Sequence, residues 1–96
     1  MTIMIDNMLV PNDELDYDSP WDPHPEFGPV RMIITTLEDG TTAVGAFDPA
    51  DLNIDAQMWT MLTALGEHGA HWAGVVYVLE PGDILRNAEP RGFTVR

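Results

Sequence analysis

The 96 residues are enough for one domain, and they carry sixteen acids against four arginines, with no lysine and no cysteine. A net charge of −12 excludes direct binding to nucleic acid or to an anionic membrane surface, because both repel such a protein. Without cysteine there are no disulfides, thiolate metal sites or cysteine nucleophiles, and a small domain without disulfides is typical of the cytoplasm. No apolar run is long enough to span a bilayer.

The chain begins with a β-prone stretch at residues 2–10, which predicts either a first strand or a loose terminus. It has no basic leader and contains Asp6, so it is not interpreted as a signal peptide. Met1, Met4 and Met8 form a patch of the kind found on adaptable binding surfaces, although chance is also a sufficient explanation.

Residues 11–29 differ from the rest of the chain, since five prolines exclude a helix or a central strand. Seven acids and no arginine precede Val30, and aromatic residues are interleaved with them. Alternate side chains of an extended segment lie on one side, about 6.6–6.8 Å apart, which predicts a carboxylate row from Glu14, Asp16 and Asp18. The predicted partner-binding residues are Asp13, Glu14, Asp16, Tyr17, Asp18, Trp21, Asp22 and Glu26.

Such a row with aromatic anchors is typical of a segment that competes for a nucleic-acid-binding surface on another protein. The alternative is a solvated loop whose aromatic side chains fold back onto the sheet. A second alternative is that the charge serves solubility alone.

A β-hairpin is predicted over residues 30–47. Arg31–Leu37 is rich in β-branched residues, and Asp39 followed by Gly40 indicates a tight turn, because glycine accepts a positive φ. Thr41–Phe47 returns as the second strand, in which Gly45 marks a bulge or a point of close approach.

One helix is predicted within residues 48–69. It begins after Asp48, which a proline follows, or after Asn53, since either residue suits a cap with acids near the positive end of the helix dipole. It ends at Gly66 or Gly69. Its apolar face, at steps of three and four residues, consists of Ile54, Met58, Met61, Leu62 and Leu65.

After the helix, the near-continuous apolar run at residues 72–80 predicts a strand that is central in the sheet or buried on both faces. A turn follows, and Ile84 with Leu85 begins a short strand. Residues 92–96 form an edge strand after Pro90.

These elements predict an α+β fold, in which a small antiparallel or mixed sheet of about four to five strands packs against one helix. Residues 1–29 are an acidic, proline-rich N-terminal segment, partly extended or flexible, and residues 30–96 are a single α+β domain. One helix covers one face of the sheet, so the other face is predicted to be polar or to meet a partner, such as a second copy.

Histidines suggest a metal site as an alternative. His68 and His71 lie near Glu67, and His24 lies between two acids. A histidine in the last turn of a helix also interacts favourably with the dipole when no metal is present. The sequence therefore assigns no metal ion and no cofactor.

No catalytic constellation is recognised, because Ser19 is the single serine and nothing places two carboxylates together in an apolar pocket. The chain is therefore not predicted to be an enzyme.

The composition favours a small acidic binding or inhibitor protein of the nucleic-acid-mimic type, whose partner is a basic, nucleic-acid-binding protein. Phage-encoded counter-defence proteins, such as anti-CRISPR or anti-restriction proteins, often have this size and charge, which is an analogy of type alone. The alternatives are an assembly subunit of an oligomer, including a homodimer, and a metal-dependent enzyme or sensor.

Overall fold

The computed structural model describes residues 4–20, 25–67 and 72–92. Within these ranges, five strands form one antiparallel sheet and one α-helix packs on it, so the predicted α+β fold is confirmed. The elements are β1 (Met4–Pro11), β2 (Arg31–Leu37), β3 (Thr41–Phe47), α1 (Ile54–Glu67), β4 (Trp72–Leu79) and β5 (Pro90–Gly92). The strand order is β1-β3-β2-β4-β5, which places β1 and β5 at the edges and β4 inside the sheet, as its apolar run predicts.

The hairpin of β2 and β3 is confirmed, with Arg31 opposite Phe47 and the pairing continuing towards the turn. Gly40 has a φ of +87°, a conformation that costs a residue with a side chain about 1–2 kcal/mol. Asp39 Oδ1 accepts hydrogen bonds from the Thr41 amide at 3.1 Å and the Thr41 hydroxyl at 2.5 Å. The turn is therefore held by local interactions that its sequence encodes.

Helix α1 begins at Ile54 because Asn53 caps it, accepting a hydrogen bond from the Ala56 amide at 3.1 Å. Asp48 instead accepts from the Ala50 amide at 2.9 Å, which closes a turn before the helix. Of the two predicted starts, the structure uses the second. No helix in the described ranges is long and apolar enough to cross a membrane.

The helix covers one face of the sheet through an apolar cluster. The cluster contains Ile33, Leu37, Ala43, Phe47, Met58, Met61 and Val76. Gly45 lies directly under this cluster: a Cβ at this position would be 2.9 Å from Phe47 Cε2 and 3.2 Å from Met61 Sδ. Gly45 is therefore a point of close approach, one of the two roles that the sequence suggests.

The expectation that the second face is polar or meets a partner is wrong. This face is apolar and buried within the single chain, by a cluster of Val30, Met32, Ile34, Val44, Ala46, Leu79 and Leu85. Leu85 begins a short 3₁₀ helix, Leu85–Asn87, in place of the predicted strand, and Ile84 forms one isolated bridge with Pro20. Residues 93–96, where the sequence predicts the rest of an edge strand, lie outside the described residues.

The segment after β1, residues 12–20, runs from the β2–β3 turn to the 3₁₀ helix Leu85–Asn87, and we call it the crossing segment. The Asn12 amide donates to the Gly40 carbonyl at 3.2 Å, beside the hairpin turn. Further along, the Arg86 amide donates to the Tyr17 carbonyl at 2.9 Å. Residues 12–20 are thus tied to residues 84–88, which contribute Leu85 to the cluster on the second face.

Arg31 joins three parts of the fold at the other end of the sheet, and it is 3% exposed. Its Nε donates to both carboxylate oxygens of Glu80 at 2.9 Å, and one terminal nitrogen donates to Gln57 Oε1 at 2.8 Å. The guanidinium also donates to the carbonyls of Asp51 and Pro49, at 2.5 and 3.2 Å. The start of β2, the loop before α1 and the end of β4 therefore meet at one side chain.

Candidate functional site

The surface charge of the described residues is negative and weakly compensated. Their carboxylates are exposed, apart from the half-buried Asp51 and Glu80. Of their three arginines, Arg31 is buried and Arg86 forms an ion pair with Asp18, while Arg91 is exposed on the edge strand β5. The positive charges therefore offset few of the acids that solvent or a partner meets.

Many of the aspartates have a local structural role. Their side chains accept hydrogen bonds from nearby backbone amides, mostly in turns, where this use of aspartate is common. The residues that do so are Asp6, Asp16, Asp39, Asp48, Asp51 and Asp83. Part of the acid excess is thus explained by turn chemistry.

Other acids gather at one end of the sheet, where the β2–β3 turn lies. Asp13 and Glu14 belong to a 3₁₀ helix, Asn12–Glu14, whose first amide is bonded to Gly40 in that turn. Glu38 and Asp39 form the turn itself, and α1 runs towards the same end and finishes at Glu67. We call this set the acidic end: Asp13, Glu14, Glu38, Asp39 and Glu67.

The side chains of four members of the acidic end, all except Asp39, form no hydrogen bond or ion pair with any other group of the described residues. The C-terminus of α1 adds the negative end of the helix dipole beside Glu67. Asp39 stays ionised, because hydrogen bonds from the hydroxyl and amide of Thr41 lower its pKa. Both of these bonds use Oδ1.

An apolar groove of about 590 Å³ opens beside the acidic end, between β1 and the second half of α1. Its walls include Met4, Met8, Leu9, Leu37, Met61 and Leu65, with Asp39 at the rim. Met8 is 50% exposed and Leu9 62%, so the groove is an open trough. The sequence singles out Met4 and Met8 as an adaptable patch, but the pairing of β1 with β3 separates them: Met4 packs with the cluster under α1, whereas Met8 pairs with Val44 of the second face and reaches the groove at the edge of the sheet.

The predicted partner-binding residues are spread over two surfaces. Asp13 and Glu14 lie at the acidic end, whereas Asp16, Tyr17 and Asp18 lie further along the crossing segment and are exposed. Glu26 is exposed in a separate turn, and the predicted Trp21 and Asp22 lie outside the described residues.

The crossing segment does not run as a continuous strand. After the 3₁₀ helix it turns at Asp16, whose Oδ1 accepts from the Asp18 and Ser19 amides at 3.0 and 3.1 Å, and these bonds lower the pKa of Asp16. Asp18 points to Arg86, and the hydrogen bond from that guanidinium lowers the pKa of Asp18. Glu14, Asp16 and Asp18 therefore do not form the regular row expected of an extended chain.

A metal site is not formed by the described residues, among which no three histidine, aspartate or glutamate side chains are arranged to hold an ion. The predicted ligands His24, His68 and His71 lie outside these residues.

Comparisons with protein-family models, with curated proteins and with solved structures found no match for this chain. Its function is therefore argued from its own residues. The two features that bear on function are the acidic end and the adjoining groove.

Proposed function

We propose that this chain is a small acidic binding protein that blocks a basic, nucleic-acid-binding surface of a partner protein, as a nucleic-acid mimic does. The observation that supports it is the imbalance of charge at the surface. The whole chain carries a net charge of −12, while Arg31 is buried in an ion pair with Glu80 and Arg86 is paired with Asp18.

The physical argument is that the nucleic-acid-binding groove of a partner protein draws much of its affinity from charge. A protein groove that binds phosphates gains affinity by releasing counterions, and carboxylates presented at a similar density exploit the same lysines and arginines. Complementary charge also accelerates encounter and disfavours wrong partners. Asp13, Glu14 and Glu38 suit this role, because no described residue neutralises or hydrogen-bonds them.

The proposal assigns no catalytic activity and no cofactor. A cytoplasmic location goes with it, because a cysteine-free domain of this size is typical of that compartment. The alternative of an assembly subunit depended on an open sheet face. Since the second face is buried within the chain, the charge gives the stronger argument.

The test is capture of partners from the cells that produce the protein, with a matched pair of double variants. Asp13→Asn with Glu14→Gln neutralises two acids of the acidic end. Asp55→Asn with Glu89→Gln removes the same charge from exposed acids elsewhere. We expect the wild type and the control pair to retain a basic protein that the first pair loses.

Salt and competition complete the test. A tenfold rise in ionic strength shortens the Debye length about threefold, so capture should fall steeply with salt. The captured protein should lose its nucleic-acid binding as the chain is added, with an end point near one equivalent. Tight capture that is indifferent to salt, or that leaves nucleic-acid binding intact, contradicts the proposal.

Deleting residues 11–29 is the wrong variant for this purpose. It removes the end of β1 and the segment bonded to Gly40 and Arg86, which helps to close the second face. A loss of capture would then report unfolding as readily as lost contacts.

A further inference from the structure

We propose that the groove between β1 and α1 is the docking site for an amphipathic, basic helix of a partner protein. The apolar side of that helix lies in the groove, and its lysines and arginines lie over the acidic end. The positive charge of the occupant rests on the proposed function. Its helical form and its apolar face rest on the shape and lining of the groove.

The helix layer over the sheet has an empty place. Strands lie about 4.8 Å apart, so five of them span about 19 Å between the outer axes, whereas one helix with its side chains is about 10 Å wide. The cluster beneath α1 draws its sheet residues from β2, β3 and β4. Leu9 of β1 pairs with Ala43 of that cluster yet is 62% exposed, so the described elements leave this part of β1 largely uncovered, although Met4 at the start of β1 packs against the cluster.

The empty place has the form that a second helix fills. It runs alongside α1, and packed helices lie 8–10 Å apart, about two strand spacings. Two of its lining residues on the helix side, Met4 and Met61, are flexible and polarisable, and such residues adapt to apolar anchors at helical spacing. Small-molecule sites enclose most of their ligand, whereas Leu9 at this groove is 62% exposed.

Charge identifies the occupant as basic. Asp39 lines the groove, Glu38 adjoins it, and Glu67 ends the helix that forms its wall. None of the described arginines lines it. A second copy of the chain would bring another charge of −12 to the same place, and the two copies would repel each other.

The probe is a synthetic peptide of about 18 residues, about 27 Å long as a helix, with leucines along one face and lysines elsewhere. It is titrated into the full-length protein by calorimetry, and backbone amides are followed by NMR. One control peptide has the same composition in scrambled order, and another has glutamate in place of lysine. We expect the first peptide to bind at least about tenfold more tightly than either control, with shifts in β1 and in the second half of α1.

Two matched pairs of variants locate the site. Leu9→Ser removes an apolar wall residue, while Leu52→Ser changes a leucine that is 84% exposed in the loop before α1. We expect the first to weaken binding about tenfold and the second to leave it unchanged. Glu38→Gln with Glu67→Gln should weaken binding and reduce its salt dependence, while Asp55→Asn with Glu89→Gln should do less.

Several results overturn the inference. Equal binding of the scrambled peptide reduces the effect to net charge, and equal binding of the glutamate peptide removes the role of the acidic end. If the peptide binds as an extended strand along the free edge of β1, or if the protein alone self-associates with the same shifts, the occupant of the groove is not a basic helix and the inference is wrong. If Leu9→Ser leaves partner capture intact while Asp13→Asn with Glu14→Gln abolishes it, the proposed function stands and the groove has no part in it.

Discussion

Arg31 and Glu80 are joined by two hydrogen bonds of 2.9 Å from one Nε to both carboxylate oxygens, although 49 positions separate them in the chain. The Arg31 side chain is 4% exposed and that of Glu80 is 44% exposed. The two ends of this ion pair therefore differ in what their loss would cost. Glu80 can return to water, whereas Gln57, at 1% exposure, stays in the interior.

We predict that Arg31→Ala lowers the free energy of unfolding by about 3 kcal/mol or more, because it leaves Gln57 and two carbonyls without a donor. Glu80→Gln should cost about 1–2 kcal/mol, since an acceptor remains and Arg31 keeps its other bonds. Urea unfolding at constant m-value measures both. Arg91→Ala, at an exposed arginine, is the control and should stay within about 0.5 kcal/mol. Equal losses for Arg31→Ala and Arg91→Ala would show that the buried network contributes nothing.

Substitution of two glycines by alanine is predicted to have opposite effects. Gly45→Ala places a Cβ 2.9 Å from Phe47 Cε2, so the layer under α1 must shift, at a cost of about 1–3 kcal/mol. Gly66→Ala lies in α1 with no atom within 4 Å of the new Cβ and should stabilise the protein by up to about 1 kcal/mol, since alanine favours the helix. Thermal unfolding of both variants gives the signs. A stabilising Gly45→Ala is incompatible with the packing described.

Local signals were sufficient for the hairpin and for α1, whereas contacts between distant segments were not predictable. The hairpin is encoded by β-branched residues on both sides of Asp39 and Gly40, and α1 by its apolar period. The choice of Asn53 as its cap depended on Asp48 being used in a separate turn, which no pattern in the sequence reveals.

The closed second face and the acidic end depended on pairings with no sequence signature. A segment rich in proline and acid has no period that shows its hydrogen bonds to Gly40 and Arg86. Asp39 and Gly40 were recognised as a hairpin turn, but the position of this turn beside the 3₁₀ helix that contains Glu14 follows from the place of β1 next to β3.

Closure of the second face predicts a specific cost for truncating Leu85, which is 6% exposed in the cluster on that face. Leu85→Ala should lower the free energy of unfolding by about 2–5 kcal/mol, the range for buried leucine. Leu52→Ala, at a leucine that is 84% exposed, should change it by less than about 0.5 kcal/mol. Chemical denaturation of both compares them directly. If Leu85→Ala is as mild as Leu52→Ala, the 3₁₀ helix Leu85–Asn87 does not close this face.

The ion pair of Asp18 with Arg86 predicts a pH dependence of stability that the variant Arg86→Gln lacks. The hydrogen bond from Arg86 lowers the pKa of Asp18, so the folded state binds this proton less tightly than the unfolded state does. The stability that it contributes is present above the unfolded pKa, about 3.9, and is lost as pH falls through the lower folded value. In Arg86→Gln the pKa of Asp18 should rise towards the ordinary value, and the difference in stability between the two proteins should shrink in acid.

A carboxyl NMR titration measures the pKa of Asp18, and urea unfolding at neutral and acidic pH measures the difference in stability. Asp16 is the internal control, because bonds within its own turn lower its pKa and do not involve Arg86. An unchanged pKa of Asp18 in Arg86→Gln would mean that the ion pair does not persist in solution.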